Sequence, residues 1–231
     1  MKKTSIILGK NTKFKNIFFD FDGVIAESVS AKTEAFRDLY LPYGKSIADK
    51  VELHHTRHGG VSRYEKFKIY HEEFLNTPIS QDGIEELAQQ FSDLVLNKVI
   101  NSDEVKGAEY FIKKYASKLK YWIITGTPTT EIKVITDKRN LTDYFIGIHG
   151  SPKNKKYWTE YLIGKHQLKR EETLFLGDAT TDYDAALFSN LHFALRENEE
   201  NEYLFKDYHG LKFIDFYQLE KSIKNHLTHN N

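Results

Sequence analysis

Short apolar runs alternate with amphipathic stretches along most of this chain. The first run, residues 16–21, is short and rich in aromatic residues, which is typical of a buried β-strand. Further runs of this kind predict strands at residues 121–125, 145–148, 173–177, 192–195 and, more weakly, 212–214. Helical patterns lie between them, and this alternation predicts an α/β fold, with a Rossmann-like parallel sheet flanked by helices.

In the stretches between these runs, apolar residues recur at the spacing that places them on one buried face of a helix. Residues 105–116, for example, place four apolar side chains at positions i, i+3, i+4 and i+7, starting from Ala108. That stripe is the mark of an amphipathic helix. Similar patterns predict helices at residues 129–139, 154–166, 179–189 and 216–227.

Residues 30–102 have a different pattern. They contain no run that predicts a strand, and helical spacing recurs at residues 31–39, 46–54, 62–74 and 83–100. We therefore predict two units, an α/β core domain formed by residues 1–29 and 103–231, and a small all-helical domain of residues 30–102 inserted into it.

The composition is that of a globular protein, and it narrows the possible functions. Hydrophobic residues make up 40% of the 231 residues and charged residues 29%, unlike a disordered chain or a membrane protein. The 33 basic and 33 acidic side chains cancel, so no overall positive field favours nucleic acid or an anionic membrane as a partner. The absence of cysteine excludes disulfide bonds, zinc–thiolate sites and a cysteine nucleophile.

No segment of the sequence has the length and apolarity of a targeting or membrane-spanning segment. The first ten residues contain only three consecutive apolar residues, too few for the apolar stretch of a signal peptide. No run approaches the roughly 18 apolar residues of a membrane helix. We therefore expect a cytoplasmic protein, and nothing in the sequence indicates an oligomeric state.

Acidic side chains follow two of the predicted strands at the point where each strand ends, which is where open α/β sheets place their active sites. Asp20 and Asp22 follow the first strand, and Gly23 permits a sharp turn beside them. Asp178 and Asp182 follow a later strand and lie one helical turn apart. Each pair alone is also typical of a turn or a helix cap. A calcium-binding EF-hand loop does not fit, because its glycine is the sixth residue and not the fourth.

A bound cation would allow these four carboxylates to be gathered without prohibitive repulsion. Oxygen ligands without cysteine favour Mg²⁺ over zinc. The sequence therefore predicts a Mg²⁺ site whose candidate ligands are Asp20, Asp22, Asp178 and Asp182.

Two further strand ends carry groups that suit a phosphate. Thr125 offers a hydroxyl and Gly126 a backbone N–H just before a predicted helix, whose N-terminus favours an anion. Lys153, Lys155 and Lys156 begin another predicted helix, where positive charge opposes the helix dipole unless an anion is held nearby. A plain helix start and solvated lysines are the structural alternatives, and solvation is favoured for Lys153 and Lys156.

These motifs, in this order and at strand ends, resemble those of the haloacid dehalogenase-like superfamily of phosphatases. The matching residues in chain order are Asp20 to Ile25, Thr125, Lys155, and Gly177-Asp178 with Asp182. The resemblance covers about residues 14–29 and 105–215. It implies that residues 30–102 are a helical cap domain inserted after the first motif. Many relatives place the lysine just before a proline, whereas Lys155 follows one as Gly-Ser-Pro-x-x-Lys, a form that some members use.

The resemblance also implies a mechanism. Asp20 is expected to be the nucleophile that forms an aspartyl-phosphate. Asp22 is expected to protonate the leaving oxygen, to activate water in the second step, and to reach Mg²⁺ through its backbone carbonyl. An acid at this position favours a phosphatase or a phosphomutase over a dehalogenase. The implied phosphate ligands are Thr125, Gly126 and Lys155.

The predicted cap would close over this site and select the substrate. Its densest polar segment is residues 54–67, from which we predict His58, Arg63 and Lys66 as substrate contacts. Arg63 is the best of these, because its forked guanidinium matches a carboxylate or a phosphate. A solvated surface is the alternative for each of them. A metal site formed by the three histidines of this segment is disfavoured, because only two have helical spacing and no acid completes the set.

The leading hypothesis is therefore a Mg²⁺-dependent phosphatase that acts on a small phosphorylated metabolite, with a sugar phosphate as the first candidate. A phosphomutase of the same superfamily has the same site, but its substrate accepts the phosphoryl group in place of water. A non-catalytic regulatory relative would be expected to lack at least one motif residue, and none is missing. P-loop and dinucleotide-binding modules are excluded, because their glycine motifs do not occur in the sequence.

Overall fold

A single parallel sheet forms the centre of the protein, whose computed structural model describes residues 12–227. Within those residues the sheet has six strands in the order β3-β2-β1-β4-β5-β6, and every neighbouring pair is parallel. The strands are β1 (Asn16–Phe19), β2 (Lys120–Pro128), β3 (Gly147–Ser151), β4 (Thr173–Gly177), β5 (His192–Arg196) and β6 (Leu211–Phe213). The predicted α/β fold is confirmed, with the first strand in the middle of the sheet.

The α-helices of residues 12–227 fall into two groups along the chain. Four follow β1 without an intervening strand, and they are α1 (Val29–Tyr40), α2 (Lys45–Arg57), α3 (Arg63–Ile69) and α4 (Gln81–Ile100). The others alternate with strands, and they are α5 (Ala108–Tyr115), α6 (Thr129–Lys138), α7 (Lys155–His166), α8 (Thr180–Phe188) and α9 (Phe216–Ile223). We call residues 29–100 the helical segment. Among the described helices, none is long and apolar enough to cross a membrane.

The sheet is buried on both faces, which explains why its strands are almost continuously apolar. Successive side chains of β1 alternate between the faces. Phe18 packs edge-on against Trp122 on one face, and Phe19 packs edge-on against Tyr121 on the other. All four side chains are fully buried. The middle of the sheet therefore holds the end of β1, and the residues that follow it, in a fixed position.

The helical segment has its own aromatic packing. Phe36 of α1 lies against Phe67 and Phe91, with ring centroids 5.8 and 4.2 Å apart, and all three are buried. One π-helical turn, Tyr70–Phe74, extends α3, and the rings of Tyr70 and Phe74 stack at 5.4 Å. Helical spacing puts Phe67, Tyr70 and Phe74 on one face, and this face forms the aromatic packing.

Most predicted elements occur within a few residues of their predicted bounds, and β3 shows why one was displaced. The apolar run that predicted a strand at 145–148 begins with Phe145, but the ladder with β2 starts at Gly147 and ends at Ser151. Ile146 is 54% exposed, so the apolar pattern marked the approach to the strand. The predictions that concern residues 1–11 and 228–231, including the signal-peptide argument, lie outside the described residues.

Candidate active site

The residues that follow β1, β2 and β4 meet at one edge of the sheet, because β1 lies between the other two strands. Asp20 comes directly after β1 and Asp178 directly after β4, while Thr125 lies in the last part of β2. A cavity of about 80 Å³ is lined by these three side chains. The helical segment covers the cavity from the other side.

A buried lysine joins two of the predicted acidic residues. The Nζ atom of Lys155 donates to Asp20 Oδ2 at 2.7 Å and to Asp182 Oδ1 at 2.6 Å. Burial alone would lower the pKa of Lys155, but the charges of Asp182 and Asp20 outweigh it and raise that pKa. Lys155 therefore stays positively charged beside Asp20.

The other two lysines of this segment point to aromatic surfaces. Lys153 Nζ lies 5.1 Å from the ring centroid of Tyr157, and Lys156 Nζ lies 5.8 Å from that of Phe188. Both lysines are exposed. Of the three candidates, Lys155 is the one that contacts Asp20.

Three acidic side chains are close enough to share one cation. Asp20, Asp178 and Asp182 each offer a carboxylate oxygen, and these oxygens lie within 4.8 Å of one another. In the part of the chain that the structure describes, no group donates a hydrogen bond to the Asp178 carboxylate. Burial and the charges of Asp20 and Asp182 raise its pKa well above the usual range. A cation would remove this repulsion, and an all-carboxylate set suits Mg²⁺.

Both oxygens of Asp182 already have partners. Oδ1 accepts from Lys155, and Oδ2 accepts from the backbone N–H of Ala179 at 3.1 Å. The second bond satisfies a free N–H just before α8, which is the role of a capping-box acid. The capping alternative considered for Asp182 is therefore present in the structure, together with a contact that positions Lys155.

The Asp22 carboxylate lies apart from the three grouped acids. Oδ1 accepts from Ser28 Oγ at 2.6 Å, and Oδ2 accepts from Thr127 Oγ1 at 2.9 Å and from Lys32 Nζ. Burial would raise the pKa of Asp22, but Lys32 and the other donors lower it overall. Asp22 is therefore held ionised, and only its backbone remains a candidate metal ligand.

Two of the predicted phosphate ligands, Thr125 and Gly126, line the same cavity, where the helical segment approaches the core closely. Thr125 is buried, and its Oγ1 accepts from Thr127 N at 3.3 Å. At Gly126 a Cβ atom would lie 2.6 Å from the carbonyl oxygen of Gly60, which belongs to the loop between α2 and α3. This close contact requires glycine at position 126.

We expect Gly126→Ala to lower the free energy of unfolding by about 1–3 kcal/mol, because the added methyl group meets a backbone atom that has to move. Urea unfolding measures the effect. Gly164→Ala in α7 is the matched control, because beyond its chain neighbours and the backbone of its own helix no atom of residues 12–227 lies within 4 Å of the Cβ position that the change would fill. That change should be neutral or should stabilise the protein by up to about 1 kcal/mol. Equal effects of the two changes would contradict the close contact.

The three substrate contacts predicted in the helical segment have different environments. His58 is exposed and does not line the cavity, and its ring stacks on His54 with centroids 4.1 Å apart. Arg63 and Lys66 line the cavity and are 4% and 1% exposed. Arg63 is already paired, because NH1 and NH2 donate to the two carboxylate oxygens of Glu131 at 2.8 and 2.7 Å. The structure thus brings Lys66 to the cavity, leaves His58 outside it, and gives Arg63 a protein partner.

Sequence reasoning missed several side chains of this site, chiefly Lys32, His55 and Thr127, all of which line the cavity. A signal for Lys32 was present, because it lies on the buried face of α1, four residues before Phe36. A lysine within such an apolar stripe requires a partner, since lysine is almost never fully buried alone. His55 lies in the same way on the buried face of α2.

One family model and several solved structures match this chain. A family model described as haloacid dehalogenase-like hydrolase matches residues 17–195. No curated protein matches the sequence. Among solved structures, a haloacid dehalogenase-like family hydrolase from Streptococcus pneumoniae superposes with a TM-score of 0.66 at 19% identity, covering 90% of this chain and 98% of that one.

Two further solved structures have the same fold. A beta-phosphoglucomutase from Clostridium difficile gives a TM-score of 0.71 at 19% identity and covers 92% of this chain and 97% of its own. A predicted phosphoglycolate phosphatase from Haemophilus somnus gives 0.68 at 18% identity, with 92% and 99% covered. At these identities the likeness establishes the fold over nearly the whole chain.

Proposed function

The chain belongs to the haloacid dehalogenase-like hydrolases, and on this basis we propose that it is a Mg²⁺-dependent phosphatase of a small phosphorylated metabolite. The observation that carries the proposal is the arrangement around Asp20. Its carboxylate contacts the protonated Lys155, and it lies beside Asp178, whose carboxylate has no hydrogen-bond donor among residues 12–227. A nucleophile, a phosphate-binding cation and a candidate metal ligand thus share one edge of the sheet.

In the first step Asp20 attacks phosphorus, the bond from phosphorus to the leaving oxygen breaks, and Asp22 gives that oxygen a proton. Lys32 holds Asp22 ionised when the cavity contains no phosphate. A phosphate dianion nearby would raise the pKa of Asp22 and favour the protonated acid. In the second step the ionised Asp22 takes a proton from the water that attacks phosphorus, the bond from phosphorus to the Asp20 oxygen breaks, and free phosphate leaves.

Asp20 and Asp178 would hold the metal, with the Asp22 backbone carbonyl as a further ligand. When bound, Mg²⁺ supplies the positive charge that offsets repulsion between a carboxylate nucleophile and a phosphate. Thr125 Oγ1, Gly126 N–H and Lys155 would bind the remaining phosphate oxygens. Their positions are supported by the parallel register of β1 with β2 and by the contact of Lys155 with Asp20.

We propose that the helical segment acts as the cap of this site. Thr181 Oγ1 donates to the carbonyl oxygen of Gly59 at 3.2 Å, and Gly60 lies against Gly126. These contacts close the loop between α2 and α3 over the phosphate ligands. A closed cap excludes water from the reacting groups, and a sugar phosphate is the first candidate substrate.

Removal of Mg²⁺ tests the proposal directly. We expect release of phosphate from p-nitrophenyl phosphate and from a panel of sugar phosphates to fall by about a hundredfold or more in excess EDTA. Added Mg²⁺ should restore the rate. Equal rates with and without Mg²⁺ would contradict the proposal. Isomerisation of a sugar phosphate without net phosphate release, dependent on a bisphosphate, would identify a phosphomutase.

A further inference from the structure

One lysine that lines the cavity, Lys66, has no carboxylate partner among the residues that the structure describes. Lys32 contacts Asp22, and Arg63 is paired with Glu131. Lys66 Nζ forms no ion pair with any carboxylate of residues 12–227. Its hydrogen bond joins it to Nδ1 of His55 at 2.8 Å, and it lies over the ring of Phe36. The other cations at the cavity are therefore neutralised by the protein, and Lys66 is not.

The environment of Lys66 makes this unpaired charge costly. The side chain is 1% exposed, and a buried ammonium without a counter-charge loses its hydration without compensation. Burial, together with the charges of Lys32 and Lys155, lowers the pKa of Lys66 to about 7. Burial and the charge of Lys66 also lower the pKa of His55 well below its usual value, so His55 stays neutral. An anion in the cavity would pair with Lys66 and remove the cost.

We propose that Lys66 binds a carboxylate of the substrate, so that the substrates of this enzyme are phosphorylated carboxylic acids. The inference rests on the proposed function, because it concerns the part of the substrate that remains after phosphate is removed. The substrate must then carry both a phosphate, which would lie at Asp20, and a carboxylate, which would lie at Lys66. A sugar acid phosphate has both groups.

The donors available at Lys66 fit a carboxylate better than a second phosphate. An ammonium has three N–H donors and accepts no hydrogen bond, so Lys66 donates one to His55 Nδ1 and has two left. Two donors match the two oxygens of a carboxylate. The nearby lining is apolar and includes Val29, Phe36 and Phe91. A phosphate dianion there would be only half neutralised, because the cavity offers no second unpaired cation among the described residues.

Two matched pairs of compounds test the proposal. The pairs are 3-phosphoglycerate with glycerol 3-phosphate, and 6-phosphogluconate with sorbitol 6-phosphate, in which a carboxylate replaces a hydroxymethyl group. For at least one pair we expect kcat/KM of the wild type to be about 10- to 100-fold higher for the acid. Lys66→Met, which keeps length and removes charge, should abolish this preference by lowering the value for the acid at least tenfold more than the value for the alcohol.

The control variant is Lys68→Met, because Lys68 is an exposed lysine of the same helix, α3. It should leave the preference unchanged. Three results would overturn the proposal. The first is a wild-type kcat/KM that is no higher for either acid than for its alcohol, and the second is an equal loss of kcat/KM on acid and alcohol in Lys66→Met. The third is a wild-type kcat/KM for fructose 1,6-bisphosphate that is higher than for either acid.

Calorimetric binding to the Asp20→Asn variant separates this inference from the proposed function. If the protein is not a phosphatase, no compound, p-nitrophenyl phosphate included, is hydrolysed by the wild type. If Lys66 binds a carboxylate, Asp20→Asn should still bind the acid about tenfold or more tighter than the alcohol. The double variant Asp20→Asn/Lys66→Met should bind the two compounds equally. Equal binding of acid and alcohol would overturn the inference while leaving hydrolysis of p-nitrophenyl phosphate as a separate result.

Discussion

Asp20→Asn should reduce phosphate release by a factor on the order of 10⁴ or more, since loss of a nucleophile removes the step on which the other groups act. An amide does not attack phosphorus, yet it has nearly the shape of a carboxylate. Lys155 keeps its second partner, Asp182, at 2.6 Å. The variant should therefore remain folded, and its thermal unfolding midpoint should stay close to that of the wild type.

Asp22→Asn is the matched control, because it changes the neighbouring acid and leaves the proposed nucleophile in place. With p-nitrophenyl phosphate, whose leaving group needs little protonation, this variant should release a burst of nitrophenolate as Asp20 is phosphorylated. Slow hydrolysis of the aspartyl-phosphate should follow, because the variant lacks the carboxylate that we propose to activate water. Asp20→Asn should give no burst. A burst from Asp20→Asn, or a rate within tenfold of the wild type, would exclude Asp20 as the nucleophile.

The position of Asp20 could be predicted from the sequence because two simple patterns coincide there. A buried apolar run predicts a parallel strand, and the end of such a strand is where the sheet presents its chemistry. The same reasoning placed Asp178 correctly at the end of β4, whereas Thr125 lies three residues before the end of β2 and still lines the cavity. The position of Lys155 could also be predicted, because it begins α7 with only three residues between that helix and β3. In each case the position depends on local sequence and on the order of the strands.

The partners in the helical segment could not be predicted in this way. Arg63 and Glu131 lie 68 residues apart in the chain, and nothing in either local pattern indicates the other. Arg63 was therefore predicted as a free donor for substrate, although its guanidinium is occupied. Whether Arg63 or Lys66 is free to bind substrate depends on which of them meets a carboxylate of the α/β core. Glu131 meets Arg63, and this pairing is a property of tertiary packing.

Lys32 illustrates an intermediate case. Its place on the buried face of α1 could be read from helical spacing, which indicates a partner inside the protein. The identity of that partner could not be read, because Thr127 lies 95 residues away at the end of β2, and it joins Asp22 and Lys32 in one network. Sequence patterns thus locate unusual buried charges, and the fold determines what they contact.

The second large effect is expected at the buried ion pair between the helical segment and the core. Arg63 of α3 makes a bidentate contact with Glu131 in the first turn of α6, and Ser92 of α4 donates to the same carboxylate at 2.5 Å. Arg63 and Glu131 are 4% and 8% exposed. Removal of one partner leaves the other charge buried and uncompensated. We expect Arg63→Met to lower the free energy of unfolding by about 3–5 kcal/mol.

A double-mutant cycle in urea separates this charge effect from lost packing. The double variant Arg63→Met/Glu131→Gln should be more stable than the sum of the single changes predicts, because no charge is left unpaired. The same cycle on Lys98 and Glu34, an exposed pair 3.5 Å apart, should give a coupling of about 0–1 kcal/mol. Equal couplings for the two pairs would show that the buried pair does not hold the helical segment to the core.

The pH dependence of Arg63→Met gives an independent test, because its sign follows from Glu131. In the wild type, burial raises the pKa of Glu131, but Arg63 outweighs it and the pKa is lowered. Its contribution to stability is therefore present above the unfolded pKa of about 4.5 and is lost as the pH falls through the depressed folded value. Without Arg63, burial raises the pKa of Glu131, so acid should protonate the carboxylate and relieve the unpaired charge. The stability difference between wild type and variant should therefore narrow from pH 8 to pH 5, and a difference that widens in acid would contradict the buried pair.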